Sequence, residues 1–494
     1  MAPSTTAKAQ QLALDLALVR DDNGNVDRWC AGFAITYGAF FFAGAAAIAM
    51  WSSVTLCLDF FAQQFPEQRV GFVFPVVNMS TLLIISLYMV VAGRQLPLEH
   101  RMNGALTAYL AFVLLLPLAN VLPLPATAAY ALTLVALVGS TVASSVLQSS
   151  MYGLGGVFGP LFVQAIEGGK GFGAILLFVI RLALKWHYQL PTLEQRAGES
   201  ERSRQQAVAA QAALEAHTAK LSMAVFFSVT FGIVALTWAL YAATKRTKFA
   251  EPLLEEYLMV QYETPFDVAQ VLTPLSSARA GKPQFPSELS PLLDPEARGR
   301  QQQQQDEEQE QLDNDEILLL REHAASASLL AVGRVAAKPL FSLFLSYFVC
   351  LSCFPGIIAA LQSTTFALAD WYAIVLVGSY NLGDLVGKNL PMYVMYFDVA
   401  TLHRPWLLQA AFVPFFVLAA LHPMPDMVAI AAVVLLGLVT GYVATSSMVL
   451  APSVCSEFQK EVAGMVGGLS AILGLCLGSY SGLALEALLE VLRK

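Results

Sequence analysis

Stretches of about twenty consecutive apolar residues recur along almost the whole of this 494-residue chain. A helix needs roughly that length to cross the hydrocarbon core of a bilayer, where no water satisfies a bare backbone group. The charged fraction agrees: only 13% of residues are Asp, Glu, Lys or Arg, against roughly a quarter in soluble domains. Too few polar side chains exist to coat a soluble globule of this size. The chain reads as an all-α polytopic membrane protein, one integral unit rather than a soluble domain on an anchor.

About eleven spans are expected, near residues 32–57, 70–92, 104–123, 128–151, 171–188, 222–243, 336–359, 371–396, 406–421, 427–449 and 462–488. The fifth carries the weakest signal. It follows the glycine-rich stretch Gly153 to Gly173 and holds Arg181 and Lys185 towards its end, where cations snorkel to the interface. The first thirty residues are polar, with no short apolar core before a cleavage site, so a removed signal peptide is not expected. Residues 189–220 are charged and Ala/Gln-rich and predict a helical surface loop. Residues 245–335 hold Pro, Ser, the run Gln301 to Gln305 and the acidic Asp306-Glu307-Glu308. Such a segment buries too little apolar surface to offset its ordering entropy and is expected to be disordered. The organisation that follows is a cytosolic segment 1–31, a bundle of six spans over 32–244, a disordered cytosolic loop over 245–335, and a bundle of five spans over 336–494.

Basic residues set the orientation. With a cytosolic amino terminus, Arg20, Arg28, Arg94, Arg101, Lys245, Arg246, Lys248, Arg334, Lys338, Arg404 and Lys460 lie inside. The short loops then facing out, 58–69, 124–127, 360–370 and 422–426, hold only Arg69, which satisfies the positive-inside bias. The 189–220 loop, with Arg196, Arg202 and Arg204 outside, is the exception. An odd number of spans puts the carboxyl terminus outside, and the plasma membrane is the expected residence.

The formal net charge of −8 is concentrated in one loop, and no basic stripe with interleaved aromatics suggests nucleic acid. The six cysteines, Cys30, Cys57, Cys350, Cys353, Cys455 and Cys476, mostly lie in or beside apolar segments, which argues against a disulfide framework. Cys350 and Cys353 form a CxxC inside an apolar helix without convergent further ligands, so helix packing is the simpler reading. No metal and no cofactor are expected. HExxH and GxSxG motifs are absent. Asp384 after Gly383 faintly resembles intramembrane aspartyl proteases, but those need a second intramembrane Asp, and no enzyme activity is expected. In the last span Gly474, Gly478 and Gly482 stand four apart, a spacing that lets helix backbones approach closely. An internal helix contact is favoured there over a homodimer face, and the protein is expected to be monomeric. The triplet Asn78-Met79-Ser80 lies inside a span and should be unmodified.

Polar groups within spans carry the most information, because each is costly unless paired or lining an aqueous cavity. Asn381, Asp384 and Lys388 share one face of the eighth span, at helical spacings of three and four. Lys388 can neutralise Asp384 in a purely structural pair. Alternatively, an ionised Asp384 can accept two hydrogen bonds from a diol. Gly383 and Gly387 beside them permit close approach by a partner or a substrate. Gln148 in the fourth span offers a donor and an acceptor, the complement of a nucleobase edge, or a bond to another helix. Trp51 in the first span supplies a face for stacking on a ring, or an interfacial anchor.

These residues sit in a wider pattern. Tyr380-Asn381-Leu382-Gly383-Asp384-Leu385-Val386-Gly387-Lys388 resembles the FNxxDxxGR signature of the equilibrative nucleoside transporter family. Gln148-Ser149-Ser150-Met151-Tyr152-Gly153-Leu154-Gly155-Gly156 resembles that family's QGSxFGLAG segment, and Phe354-Pro355-Gly356 matches its seventh-span element. Gly441-Tyr442 with Pro452 is similar to its tenth span, and Trp51 with Phe60-Phe61 to its first-span PWN…YF pattern. Order and spacing agree across nearly every span. The resemblance implies a major-facilitator-like arrangement of six plus five helices. It also implies that Gln148 contacts the base, Trp51 lines the base end, and Asp384 with Lys388 holds the ribose hydroxyls. Asn381, Phe354 and Pro355 would shape the cavity wall or its gates.

Three departures bear on substrate range and gating. Lys388 replaces the usual Arg and loses the planar fork. Met50-Trp51-Ser52 replaces Pro-Trp-Asn, and Gln409 stands where Arg is common. The expected function is facilitated transport of nucleosides or nucleobases through a bilayer by alternating access. A proton-coupled nucleoside transporter, or a carrier of another organic solute on the same scaffold, is the alternative.

Overall fold

The computed structural model describes residues 19–20, 26–27, 31–187, 201–255, 257, 329–359, 361–366, 371–456 and 459–492. The glutamine run and most of the 245–335 loop lie outside these residues, as do Cys30 and residues 188–200. A two-stranded antiparallel pair, β1 (Val19–Arg20) and β2 (Val26–Asp27), precedes the helices.

Among the described residues, every later element is a helix. In order come α1 (Ala31–Leu56), α2 (Leu58–Gln64), α3 (Val70–Ala92), α4 (Leu98–Val121), α5 (Ala126–Phe158), α6 (Pro160–His187) and α7 (Glu201–Thr244). Beyond the undescribed loop come α8 (Leu329–Val335), α9 (Ala337–Cys353), α10 (Gly356–Ala359), α11 (Tyr372–Tyr393), α12 (Trp406–Leu421), α13 (Asp426–Ser453) and α14 (Lys460–Leu492). Among the described residues, nine helices are long and apolar enough to cross a membrane. Two further helices overlap the remaining stretches anticipated from hydropathy without being both long and apolar enough. One, α12, is apolar but only 16 residues long. The other, α11, has 22 residues, and Asn381, Asp384 and Lys388 reduce its apolar character.

Proline punctuates the turns. Pro97, Pro125 and Pro425 hold the extended backbone immediately before α4, α5 and α13, where a missing N–H costs nothing. Phe354-Pro355 ends α9 before the single turn α10.

The largest correction to the sequence reading falls between the fourth and fifth spans. The fourth span, α5, runs on to Phe158, and α6 begins at Pro160 rather than 171. The chain reverses at Gly159, whose φ of 113° is accessible to glycine. The neighbouring glycines are helical because they face other backbones. A Cβ on Gly169 would overlap the Phe41 carbonyl oxygen, and one on Gly44 the Ile166 carbonyl oxygen, so α1 and α6 cross almost in backbone contact. Part of the 189–220 segment is likewise not a separate loop: residues 201–220 are the first turns of α7, which continues into the sixth span.

Close crossings also order four of the helices after the undescribed loop, α9, α11, α13 and α14. Gly474, Gly478 and Gly482 of α14 lie against the carbonyl oxygens of Phe344, Phe348 and Leu351 in α9, the internal contact anticipated for that glycine stripe. Gly383 and Gly387 of α11 meet the carbonyl oxygens of Val434 and Leu438 in α13, and Gly437 and Gly441 meet those of Tyr380 and Asp384 in return. The small residues beside Asp384 therefore admit a partner helix, which fixes one side of α11.

Candidate functional site

The helices before the undescribed loop and those after it meet along α5–α14, α6–α11 and α3–α14. At one end the meeting is tight. Gly464 at the start of α14 abuts the Tyr152 carbonyl of α5, and Gly156 abuts the Lys460 carbonyl. Arg101 of α4 forms an ion pair with Glu461 of α14 at 3.5 Å, with both side chains at most 3% exposed. Tyr257, from the segment after α7, bridges them: its hydroxyl accepts from Arg101 at 2.7 Å and donates to Glu461 at 2.6 Å. Burial, reinforced by the Glu461 carboxylate, pushes the Tyr257 phenol well above its usual range, so it stays a donor.

Away from that seal the two sets of helices separate around a cavity of about 450 Å³. Trp51 of α1, Gln148 of α5, Phe354 and Pro355 after α9, and Asn381, Asp384 and Lys388 of α11 all line it. Every candidate site residue read from the sequence thus meets in one hollow, drawn from four separate stretches of chain.

At its deep end, Lys388 Nζ donates to Asp384 Oδ2 at 2.7 Å. Both side chains are nearly sealed, at 5% and 7% exposure. The other carboxylate oxygen, Oδ1, is buried without a hydrogen-bond partner. An unpaired buried acceptor is expensive, and here it belongs to a residue that lines a void. The pair therefore neutralises the charge and leaves one acceptor unused, on the side of Gly441 in α13.

Gln148 is half-buried and makes no hydrogen bond with any described residue, so its amide is not spent on another helix. Trp51 is half-buried too, its ring exposed to the hollow. Phe354 stacks on Tyr380 with ring centroids 4.1 Å apart and planes 19° apart, giving the cavity an aromatic wall. Asn78, in the glycosylation-type triplet, is 5% exposed and also lines the cavity, its Oδ1 taking the Thr141 hydroxyl at 2.7 Å.

Cys350 and Cys353 are buried free thiols, and Cys350 Sγ lies 2.9 Å from the Tyr380 hydroxyl. Gln409 lies away from the cavity and donates to Ser346 at 2.6 Å. That departure therefore alters packing between α12 and α9, not the lining of the hollow.

Sequence reasoning missed a second charged pair. Lys170 of α6 lines the cavity, and Glu167 lies one turn before it. Glu167 accepts from the hydroxyls of Tyr152 and Tyr347 and pairs with Lys170 at 3.4 Å. The signal was an i,i+3 acid–base pair, but it fell in the glycine-rich stretch read as preceding a span.

Comparison with known proteins places these features in a family. The family model described as Nucleoside transporter matches residues 207–487, more than half of the chain. Equilibrative nucleotide transporter 8 of Arabidopsis thaliana is 21% identical over 456 residues, covering 91% of this chain and 95% of that protein. Nucleoside transporter 1 of Crithidia fasciculata is 24% identical, covering 84% and 83%. Equilibrative nucleoside transporter 4 of Homo sapiens is 31% identical over a shorter stretch, 30% of this chain and 28% of that one. Among solved structures, the major facilitator superfamily proton:xylose symporter XylE bound to 6-bromo-6-deoxy-D-glucose superposes with a TM-score of 0.50 at 12% identity, over 94% of this chain and 90% of that one. That likeness shows the major-facilitator fold.

Proposed function

Because this chain belongs to the nucleoside transporter family, we propose that it carries nucleosides through a bilayer by facilitated diffusion, binding them in the cavity between its two sets of helices. Membership also makes it a multi-pass membrane transporter and not an enzyme. The observation that carries the reading is that Asp384, with one carboxylate oxygen unpartnered, and Gln148, with no hydrogen bond to a described residue, line the same hollow of about 450 Å³, a size in the range of small-molecule sites.

In this reading Asp384 accepts hydrogen bonds from the ribose diol, and Lys388 both steadies the carboxylate and donates to a hydroxyl oxygen. Gln148 reads the base edge and Trp51 packs on its face. Asn381, Phe354 and Pro355 complete the wall. The sealed end carries Arg101 and Lys245 and is the cytosolic one under the positive-inside bias. The conformation is then outward-facing, with a cytosolic amino terminus, an external carboxyl terminus and residence in the plasma membrane as a monomer. Inward opening requires the Arg101–Tyr257–Glu461 contact and the glycine crossings beside it to separate, as the two sets of helices rock about the bound solute.

Reconstitution tests this reading. Purified protein in lipid vesicles should pass labelled adenosine down its gradient with saturation, and an imposed pH gradient should leave the flux unchanged. Flux that depends on the pH gradient would favour the proton-coupled alternative. Saturable flux of other organic solutes with none of adenosine would refute nucleoside carriage.

A further inference from the structure

The two charged pairs present different faces to the hollow. On α11, Asp384 lines the cavity and one of its carboxylate oxygens has no hydrogen-bond partner. On α6 the carboxylate is withdrawn: Glu167 is 1% exposed and both its oxygens are taken, Oε1 by Tyr152 and Lys170, Oε2 by Tyr347. Lys170, not Glu167, is among the residues that line the wall. Lys170 Nζ donates to the Tyr152 hydroxyl at 2.5 Å and to Glu167 Oε1 at 3.4 Å, and sits 4.7 Å from the centre of the Tyr152 ring. An ammonium has three N–H donors. Two are directed at these partners, and no described residue takes a third. A Cβ on the next residue, Gly171, would come 3.4 Å from Lys388 Cδ, so the two ammonium-bearing side chains come from adjoining walls.

We infer that Lys170 is a further substrate-contacting residue, offering one N–H to a sugar oxygen outside the diol held by Asp384 and Lys388. Glu167 and Tyr152 are its positioning residues. The inference rests on the diol reading proposed above. A nucleoside has one free sugar hydroxyl beyond the 2′,3′ diol, at the 5′ carbon, and its oxygen is an acceptor that a donor-only group suits. The bland account is a strut between helices, because Glu167 ties α5, α6 and α9 together. A strut would not discriminate between solutes.

The experiment measures saturable uptake of adenosine and of its 2′-, 3′- and 5′-deoxy analogues by vesicles containing the full chain. In the wild type, loss of the 5′ hydroxyl should raise KM by about tenfold to a hundredfold, the range for a hydrogen bond to a charged group. Lys170→Met should bring that 5′ ratio close to one and leave the 3′-deoxy ratio as it was. Glu167→Gln should lower the 5′ ratio part of the way. An unchanged 5′ ratio in Lys170→Met, or an equal loss for all four solutes, would overturn the inference in favour of a strut. Equal KM values for adenosine and 5′-deoxyadenosine in the wild type would overturn it without any variant, which covers the case in which a substituted protein fails to fold. Failure of the diol reading alone looks different: the wild type would ignore the 2′ and 3′ changes and still reject the 5′ one.

Discussion

Replacing Asp384 by Asn keeps the shape of the side chain and removes its charge. Two consequences can be separated from the geometry. The first is structural. Lys388, 5% exposed, loses the partner 2.7 Å away. Removing one member of a buried ion pair costs about 3–5 kcal/mol, mostly from the charge left behind. The second is functional. The free Oδ1 no longer offers an ionised acceptor, and one hydrogen bond to a charged group is worth about 1.5–3 kcal/mol. At about 1.4 kcal/mol per decade, uptake efficiency should fall at least tenfold to a hundredfold for that reason alone. Asp384→Asn/Lys388→Met removes both charges and so separates the two effects. Thermal stability in detergent should drop for Asp384→Asn and recover in the double variant, while adenosine uptake per molecule at the membrane stays lost in both. Recovery of uptake in the double variant would refute the reasoning, since it would make the pair a strut. Wild-type uptake by Asp384→Asn would refute it more simply.

Gln148→Ala should raise KM by about twofold to tenfold, the range for a neutral hydrogen bond, and shift the ratio of purine to pyrimidine uptake, measured by competition. Gly437→Leu should place side-chain atoms against the Tyr380 carbonyl at the α11–α13 crossing. It should lower the melting temperature and the amount of protein reaching the membrane, as read by a thermal-shift assay and surface labelling. Deleting 290–315 should leave adenosine KM and maximal rate within about twofold, given a composition that supports no packed core.

Much of this was legible in the chain. The apolar runs are dictated by the bilayer, and their positions reappear as helices with boundaries shifted by a few residues in most cases. Asp384 and Lys388 were visible because charge inside an apolar run has few innocent explanations. What the chain concealed depends on neighbours. Gly153 to Gly173 reads as a break because glycine disfavours an isolated helix, yet Gly169 is needed where α6 crosses α1. With the start of α6 misplaced, Glu167 and Lys170 lost their context as residues within a span. The freedom of Gln148 and the unpaired oxygen of Asp384 were also beyond the sequence, because both depend on how the neighbouring helices pack.

The account stands on Gln148 and Asp384 facing a water-filled hollow that a nucleoside occupies. Site-resolved labelling of Gln148→Cys with a membrane-impermeant thiol reagent tests it most directly. With peptide mapping to set aside Cys350 and the other native thiols, the introduced thiol should be modified from the aqueous phase. Adenosine should slow that modification in a saturable way, with half-protection near its transport KM. A thiol at 148 that stays unmodified, or reacts at the same rate under saturating adenosine, would contradict it.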